Sequence, residues 1–296
     1  MSDSLEREAR SLLSAAAVRA RAGQMLELGL AGGLSHFTVD LDRMDGVAEA
    51  VLAVTRKAYP TLDIPFHARW RHFVLGGVDR WAKLADTATW PDRAARARAE
   101  FDLAIVSVLL DAGAGAAWRY RDGATGTDIG RSEGLAIASL DMFASGLFSG
   151  DARAPFRADA DVLAKLPLAA LTSAFQVSDA NPLLGLEGRT DLLRRLGRQV
   201  SERADVFGLH DTPRPGGLFD HIAAQARGGA VTAPAILSAV LNQLGPIWPS
   251  RLELAGVPLG DCWRHPAIKA NDATAGLVPL HKLSQWLSYS LIEPLQ

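Results

Sequence analysis

The sequence predicts a mainly α-helical, compact multi-helical fold with one minor β-hairpin. Three observations predict it. Apolar residues recur at three- and four-residue spacing along most of the chain. Strand-like alternation around a turn occurs in a single stretch, and glycine or proline closes the helical segments with short connections between them.

The first helical face carries Leu5, Ala9, Leu12, Leu13 and Ala16 behind an Asp3/Glu6 pair that resembles a capping box, and Gly32-Gly33 ends it. His36 to Val39 reads as a short β-like stretch. Asp40 or Asp42 can cap the next helix, in which Met44, Val47, Val51 and Val54 repeat at three and four. Pro60 and Pro65 bound the loop that follows. Pro91 can occupy the first position of a helix whose Phe101, Ile105, Val108, Leu109 and Ala112 form a wide apolar stripe ending at Gly113. This is the expected central buried helix. Further helices are expected from Ser132 to about Phe143, Pro167 to Phe175, Leu186 to Val206, Gly216 to Ala226 and Pro234 to Leu244, the last two closed by Gly228-Gly229 and Gly245-Pro246. The hairpin falls at Arg251 to Gly260, turning near Ala255-Gly256. The last helix is expected to begin at Pro279 and to place Leu280, Leu283, Leu287 and Leu291 inside. No repeat or long linker interrupts the pattern, and a soft boundary between two helical subdomains is expected near Gly150 to Pro155.

Length and charge narrow the class. A chain of 296 residues lies near the size at which one core divides into two. With 31 Lys+Arg against 33 Asp+Glu, the net charge of −2 lacks the basic footprint of a nucleic-acid or acidic-membrane binder. The single cysteine, Cys262, cannot form an internal disulfide, and no basic segment leads into an apolar run at the amino terminus; the expected location is cytoplasmic. The longest apolar run, Leu103 to Leu110, stops at Asp111 and falls short of the ~20 residues of a membrane span.

Several chemistries find no local support. The seven histidines, His36, His67, His72, His210, His221, His265 and His281, show no paired-ligand spacing, so no metal is expected. Gly113 and Gly115 lack the third glycine of a dinucleotide fingerprint and follow a helix where that motif needs a strand. Neither a phosphate-binding GxxxxGK[ST] loop nor a GxSxG elbow is present.

What remains is a set of segments dense in charged, aromatic and glycine residues. Arg69 and Arg71 can fork onto a phosphate or carboxylate, or form an ion-paired turn. Asp111 ends the most apolar helix, where it is either a functional acid or a capped, paired one. Ser132 and Glu133 read first as cap and first-turn acid of their helix, which leaves Arg131 available for an anion. Asp220 with His221 reads the same way, as a first-turn acid. Trp248 and Trp263 sit in proline- and glycine-rich loops, where packing alone does not explain them and a pocket wall does. On the final helix His281, Lys282, Gln285 and Tyr289 form a polar stripe with Trp286 between them, a composition better suited to a ligand than to plain solvent.

These same segments carry a resemblance. Arg69-Trp70-Arg71-His72-Phe73, Val106 to Gly115, Arg131-Ser132-Glu133-Gly134, Phe175-Gln176-Val177 with Asn181-Pro182, Gly245-Pro246-Ile247-Trp248-Pro249, Gly260-Asp261-Cys262-Trp263 and His281 to Trp286 closely resemble the uracil-catabolism family of fungal and bacterial proteins. The likeness covers nearly the whole chain, as one family region over residues 1–296. It implies a role in the pyrimidine degradation route that opens the uracil ring while attached to ribose and passes through ribosylurea. It also implies a mainly helical fold distantly similar to the queuosine-salvage nucleoside hydrolases and helical DNA glycosylases, an analogy of fold only. The family pattern continues past Ser-Leu-Ile-Glu-Pro into a Glu-Tyr-Arg-Asn-Gly-Gly motif, so the resemblance implies that this chain lacks a carboxy-terminal segment. A lesser departure is Leu280, where the family pattern has an aromatic residue.

The function expected on these grounds is an N-ribosyl hydrolase that cleaves the ribose-to-urea C–N bond of ribosylurea or its 5′-phosphate without a cofactor. Asp111 and Asp261 are the expected carboxylates opposite the oxocarbenium-like sugar. His281, Lys282 or Gln285 would assist the departing urea. Arg69, Arg71 and Arg131 would hold a phosphate, with Trp263 and Trp286 as walls. The alternative is a non-catalytic protein of the same pathway that binds a ribosyl intermediate or scaffolds an enzyme. A ring-opening amidohydrolase or deaminase is disfavoured by the missing metal-ligand spacing. The partner expected is a small ribosyl molecule, and the oligomeric state is left open.

Overall fold

The computed structural model describes residues 2–209, 212–248 and 252–296; His210, Pro249 and Arg251, where the hairpin was expected to begin, lie outside them. In chain order come α1 (Ser2–Ser11), α2 (Ala15–Leu30), α3 (Met44–Ala58), the pair β1 (Val74–Leu75) and β2 (Val78–Asp79), α4 (Arg80–Ala85) and α5 (Arg93–Leu110). Then follow β3 (Tyr120–Arg121), β4 (Asp128–Ile129), α6 (Arg131–Ala144), α7 (Ala160–Ala164), α8 (Leu168–Ala174), α9 (Leu186–Glu202), α10 (Ala204–Phe207), α11 (Leu218–Ala223) and α12 (Ala233–Gln243). The chain closes with β5 (Glu253–Leu254), β6 (Val257–Pro258), β7 (Cys262–Arg264), β8 (Leu277–Pro279) and α13 (Lys282–Ser290). Among the described residues every sheet is a two-stranded antiparallel pair. The fold is mainly α, as the periodicity predicts. No helix among the described residues is long and apolar enough to cross a membrane.

The chain divides into two compact units, Ala68–Pro249 with Leu283–Gln296, and Met1–His67 with Ser250–Lys282. Residues 150–155 lie inside the first, larger unit. Its core is built on α5, where every residue from Phe101 to Leu110 is buried, and α6 packs against it with Leu135 to Leu140 buried. Burying each large apolar side chain contributes about 1.5–3 kcal/mol. Asp92, not Pro91, starts α5, its carboxylate accepting the Ala95 N–H at 2.7 Å. Inside the same helix Asp102 is fully buried; it pairs with Arg214 at 2.5 Å and accepts the N–H groups of Gly216 and Ala158. Burial pushes its carboxyl up, and Arg214 opposes that shift. On the far side α7 and α9 meet at Gly197, where a Cβ would overlap the Ala160 carbonyl and the Ala164 backbone.

The smaller unit holds α1 to α3 and the strands β5 to β8. Here α1 packs on the β5–β6 hairpin, and α2 packs on β8. Arg21 ties α2 to the loop before β8 through the Lys269 carbonyl and Thr274 Oγ1 at 3.0 and 2.7 Å. The β5–β6 turn is Ala255-Gly256, both with positive φ (51° and 75°), the geometry of a tight hairpin. The sequence located that hairpin but missed three others, whose strands are only two or three residues long. His36 to Val39 forms no strand. The apolar repeat of α3 does form a helix, yet none of its residues is buried. The final helix begins at Lys282 instead of Pro279. Pro279 pairs with Cys262 in the β7–β8 ladder, and His281 has φ 51°, outside the helical region. Leu280 is therefore 47% exposed and not inside.

Candidate active site

The larger unit gathers a polar cluster at the carboxy-terminal end of α5. Asp111 is the residue at which α5 stops, and its side chain is 9% exposed. Its Oδ2 accepts from Arg69 Nη1 at 2.7 Å and its Oδ1 from Ser132 Oγ at 2.9 Å. Arg69 comes from a short 3-10 turn, Arg69–Phe73, and is completely buried. Its Nε donates to Ser107 Oγ at 2.6 Å, which meets Ser139 Oγ at 2.6 Å. Nη1 also lies 3.2 Å from His72 Nδ1 and 3.3 Å from the Ser132 carbonyl. A guanidinium only donates, so His72 Nδ1 is the acceptor and its ring proton sits on Nε2. Buried Nη2 has no hydrogen-bond partner among the described residues. The Trp286 ring centre stands 5.9 Å from the Arg69 guanidinium carbon and 5.8 Å from the His72 ring.

Burial lowers the Arg69 guanidinium to about 10, opposed by Asp111 and Glu133, so it stays charged at neutral pH. Arg131, first residue of α6, holds φ 55° and is exposed. A non-glycine residue in that left-handed region costs of order 1–3 kcal/mol, and such strain concentrates at sites that use it. Gly130, not Ser132, occupies the cap position of α6, which releases the Ser132 hydroxyl to Asp111. Arg189 of α9 closes the other side: its Nε donates to the Leu110 carbonyl at 2.9 Å and its Nη2 to the Ala112 carbonyl at 2.8 Å. Its Nη1 donates to Leu184 O. With the Gly113 carbonyl, 3.3 Å from Nη2, three carbonyls at and beyond the end of α5 find donors on one buried side chain.

The sequence-derived site residues divide between the units. Arg69, Arg71, Asp111, Arg131, Gln285 and Trp286 belong to the larger. Within it Arg69, Asp111 and Trp286 come together, whereas Arg71 makes a forked pair with Glu293 at 2.7 and 3.0 Å. Arg71 lines a separate cavity of about 650 Å³ with Trp70, Trp81, Arg93, Arg96 and Phe219. Gln285 lies in the first turn of α13. The smaller unit contains Asp261, Trp263, His281 and Lys282. There Asp261 Oδ1 accepts from Trp263 Nε1 at 2.8 Å, Oδ2 accepts the Lys282 N–H at 3.1 Å, and its carbonyl accepts the N–H groups of Leu280 and His281. His281 is 1% exposed with Nε2 3.0 Å from the Leu12 carbonyl, so Nε2 carries the proton and buried Nδ1 has no partner among the described residues. Burial pushes the imidazole down, leaving it neutral at pH 7. Sequence reasoning placed Ser132 as a cap and did not single out Ser107, Ser139 or Arg189. The first two are small polar residues inside apolar stripes, a signal that was available; Arg189 carries none. Among the described residues no three His, Cys, Asp or Glu side chains gather as metal ligands would.

Fold and site together define a helical protein with a nearly buried carboxylate held between a guanidinium and a hydroxyl. The chain belongs to the DUF1688 family, described as a protein of unknown function, whose model matches residues 11–296. It is 37% identical over 276 residues to uracil catabolism protein 4 of Lachancea kluyveri, covering 88% of this chain and 62% of that protein. It is also 37% identical over 292 residues to protein urg3 of Schizosaccharomyces pombe, covering 96% of this chain and 68% of that protein. The chain thus spans about two thirds of the length of these curated relatives, and the resemblance read from its motifs holds across it. No solved structure matches the chain.

Proposed function

We propose that the chain acts in uracil catabolism by hydrolysing the C–N bond that joins ribose to urea in ribosylurea or its 5′-phosphate. The pathway is supported by the name of the Lachancea kluyveri relative. The observation that carries the chemistry is the Asp111, Arg69 and Ser132 cluster beside Trp286. The reaction breaks the anomeric C–N bond, adds the hydroxyl of water to the anomeric carbon, and returns the remaining proton to the urea nitrogen. Positive charge develops on the sugar as the bond lengthens. A fixed carboxylate stabilises that charge without reorganising, the largest contribution such a site makes. Arg69 and Ser132 each occupy one acceptor position of Asp111, leaving others to orient water or a sugar hydroxyl. The indole of Trp286 offers a π face to the cationic sugar. Exposed Arg131, at the first turn of α6, is placed to take the 5′-phosphate with the helix amino terminus.

In this reading Asp261 fixes Trp263 and the Lys282 backbone, and Asp111 is the reacting carboxylate. Gln285, in the first turn of α13 and in the same unit as Asp111, would assist the departing urea through a hydrogen bond from its amide N–H.

The test is urea release from ribosylurea and its 5′-phosphate by this chain and by the full-length Lachancea kluyveri relative. Release by both, falling at least ~100-fold in Asp111→Asn and roughly tenfold in Ser132→Ala, is expected. Ser132→Ala keeps the ion pair intact, so it reads turnover in a folded protein. Saturable ligand binding with no urea from either protein overturns the hydrolase reading and leaves a binding protein.

A further inference from the structure

The larger unit holds a further cavity of about 390 Å³, lined from the carboxy-terminal ends of α6 and α8. Ala138, Met142 and Leu147 supply apolar wall, and Tyr120, Ser145 and Ser173 bring hydroxyl groups. Among the described residues a single charged side chain lines it, that of Asp141. A volume of this size with apolar walls and a few polar groups is that of a small-molecule site. Asp141 follows Ser132 by nine residues on α6, about 14 Å along the helix, so the cavity stands apart from the Asp111 cluster.

Charge selects the ligand. Arg80 forks onto the fully buried Asp122 at 3.1 and 3.2 Å and comes only within 3.9 Å of Asp141 Oδ1, beyond hydrogen-bond distance. One guanidinium therefore serves two carboxylates, and Asp141 is the one left without a close counter-charge. The Tyr120 hydroxyl donates to its Oδ2 at 2.7 Å, which fixes the carboxylate and adds no charge. Burial pushes the Asp141 carboxyl up, opposed by Tyr120 and Arg80. The end of α6 adds negative partial charge at the same place. Ser145 Oγ spends its proton on the Met142 carbonyl at 2.8 Å, so its lone pairs remain to accept. An ammonium head carries three donors for these acceptors, and an aliphatic stem suits the apolar wall. A divalent metal ion would ask for more oxygen ligands than one carboxylate and its hydroxyl neighbours offer.

We propose that this cavity binds a small organic cation, a primary ammonium on an aliphatic chain, with Asp141 as its counter-ion. The site is independent of the hydrolase reading and is tested by binding alone. The probe is n-hexylammonium chloride, titrated into the whole chain in low-salt buffer at pH 7 and followed by ligand-observed NMR. Saturable binding with a Kd of about 1 mM is expected. The same stem without charge, 1-hexanol, binds at least ~10-fold more weakly. Asp141→Asn still accepts from Tyr120, keeps the helical circular dichroism signal and lowers affinity roughly tenfold or more. Ala170→Leu, which fills the cavity and leaves Asp141 in place, lowers it as well. The absence of saturable binding overturns the proposal, as does equal affinity for 1-hexanol or an Asp141→Asn variant that binds like the parent. Displacement of the probe by magnesium chloride, but not by sodium chloride at equal ionic strength, also overturns it, in favour of a metal ion.

Discussion

Asp111 ends an 18-residue helix, where its negative charge meets the negative end of the helix dipole. Arg69 and Arg189 offset that repulsion, and the cost of burying Arg69 is in turn offset by Asp111. Breaking such a pair from one side leaves an uncompensated buried charge, worth about 3–5 kcal/mol. His281 supports a second prediction at this scale. Its folded-state pKa lies below the usual value near 6.5, so the unfolded chain binds the proton first. Its stabilising share is present above pH ~6.5 and is lost as pH falls toward the folded value. The melting temperature of the parent is expected to fall between pH 7 and pH 5 by more than that of His281→Gln; equal slopes in the two proteins would remove this assignment. Asp111 was legible because a lone acid after an apolar helix is conspicuous. The engagement of Asp261 was not, since backbone capping across a hairpin leaves no spacing to read.

The stop of α5 shows how an element depends on a distant one. Its last carbonyl, that of Leu110, and the Ala112 and Gly113 carbonyls just beyond it accept from Arg189 of α9, 79 residues beyond Leu110. Arg189→Leu keeps the apolar stem but removes the donors to those carbonyls, and denaturant unfolding should show a loss of roughly 1.5–3 kcal/mol. A loss below ~1 kcal/mol would mean that water replaces the guanidinium. The helices themselves followed their apolar spacing, and the errors lay at their ends. At α13 the ladder claimed Pro279, and at α6 Gly130 took the cap from Ser132. Caps are decided by which hydrogen bonds the surrounding fold leaves open, whereas a buried stripe repeats along the sequence and needs no partner to be seen. The short hairpins at Gly76-Gly77 and between β3 and β4 carry too few residues for alternation to register.

Across the molecule, the continuous apolar core lies entirely in the larger unit, from Ala68 to Leu291. Local opening should therefore cost most in α5 and α6 and least in the smaller unit. Native-state hydrogen exchange is expected to find the slowest amides between Phe101 and Leu110, and the fastest helical amides in α3, none of whose residues is buried. Comparable protection of α3 and α5 would contradict this ordering. By itself the sequence determined the helical class, the buried central helix, the β5–β6 hairpin and the family, because periodicity, turn chemistry and motif content are local along the chain. Only the tertiary structure decided the division into two units, the separation of Arg69 from Arg71, the exposure of the α3 seam and the meeting of Arg69, Asp111, Ser132 and Trp286. Each of these depends on which surfaces meet after folding, and residues far apart in sequence carry no pattern that announces their contact.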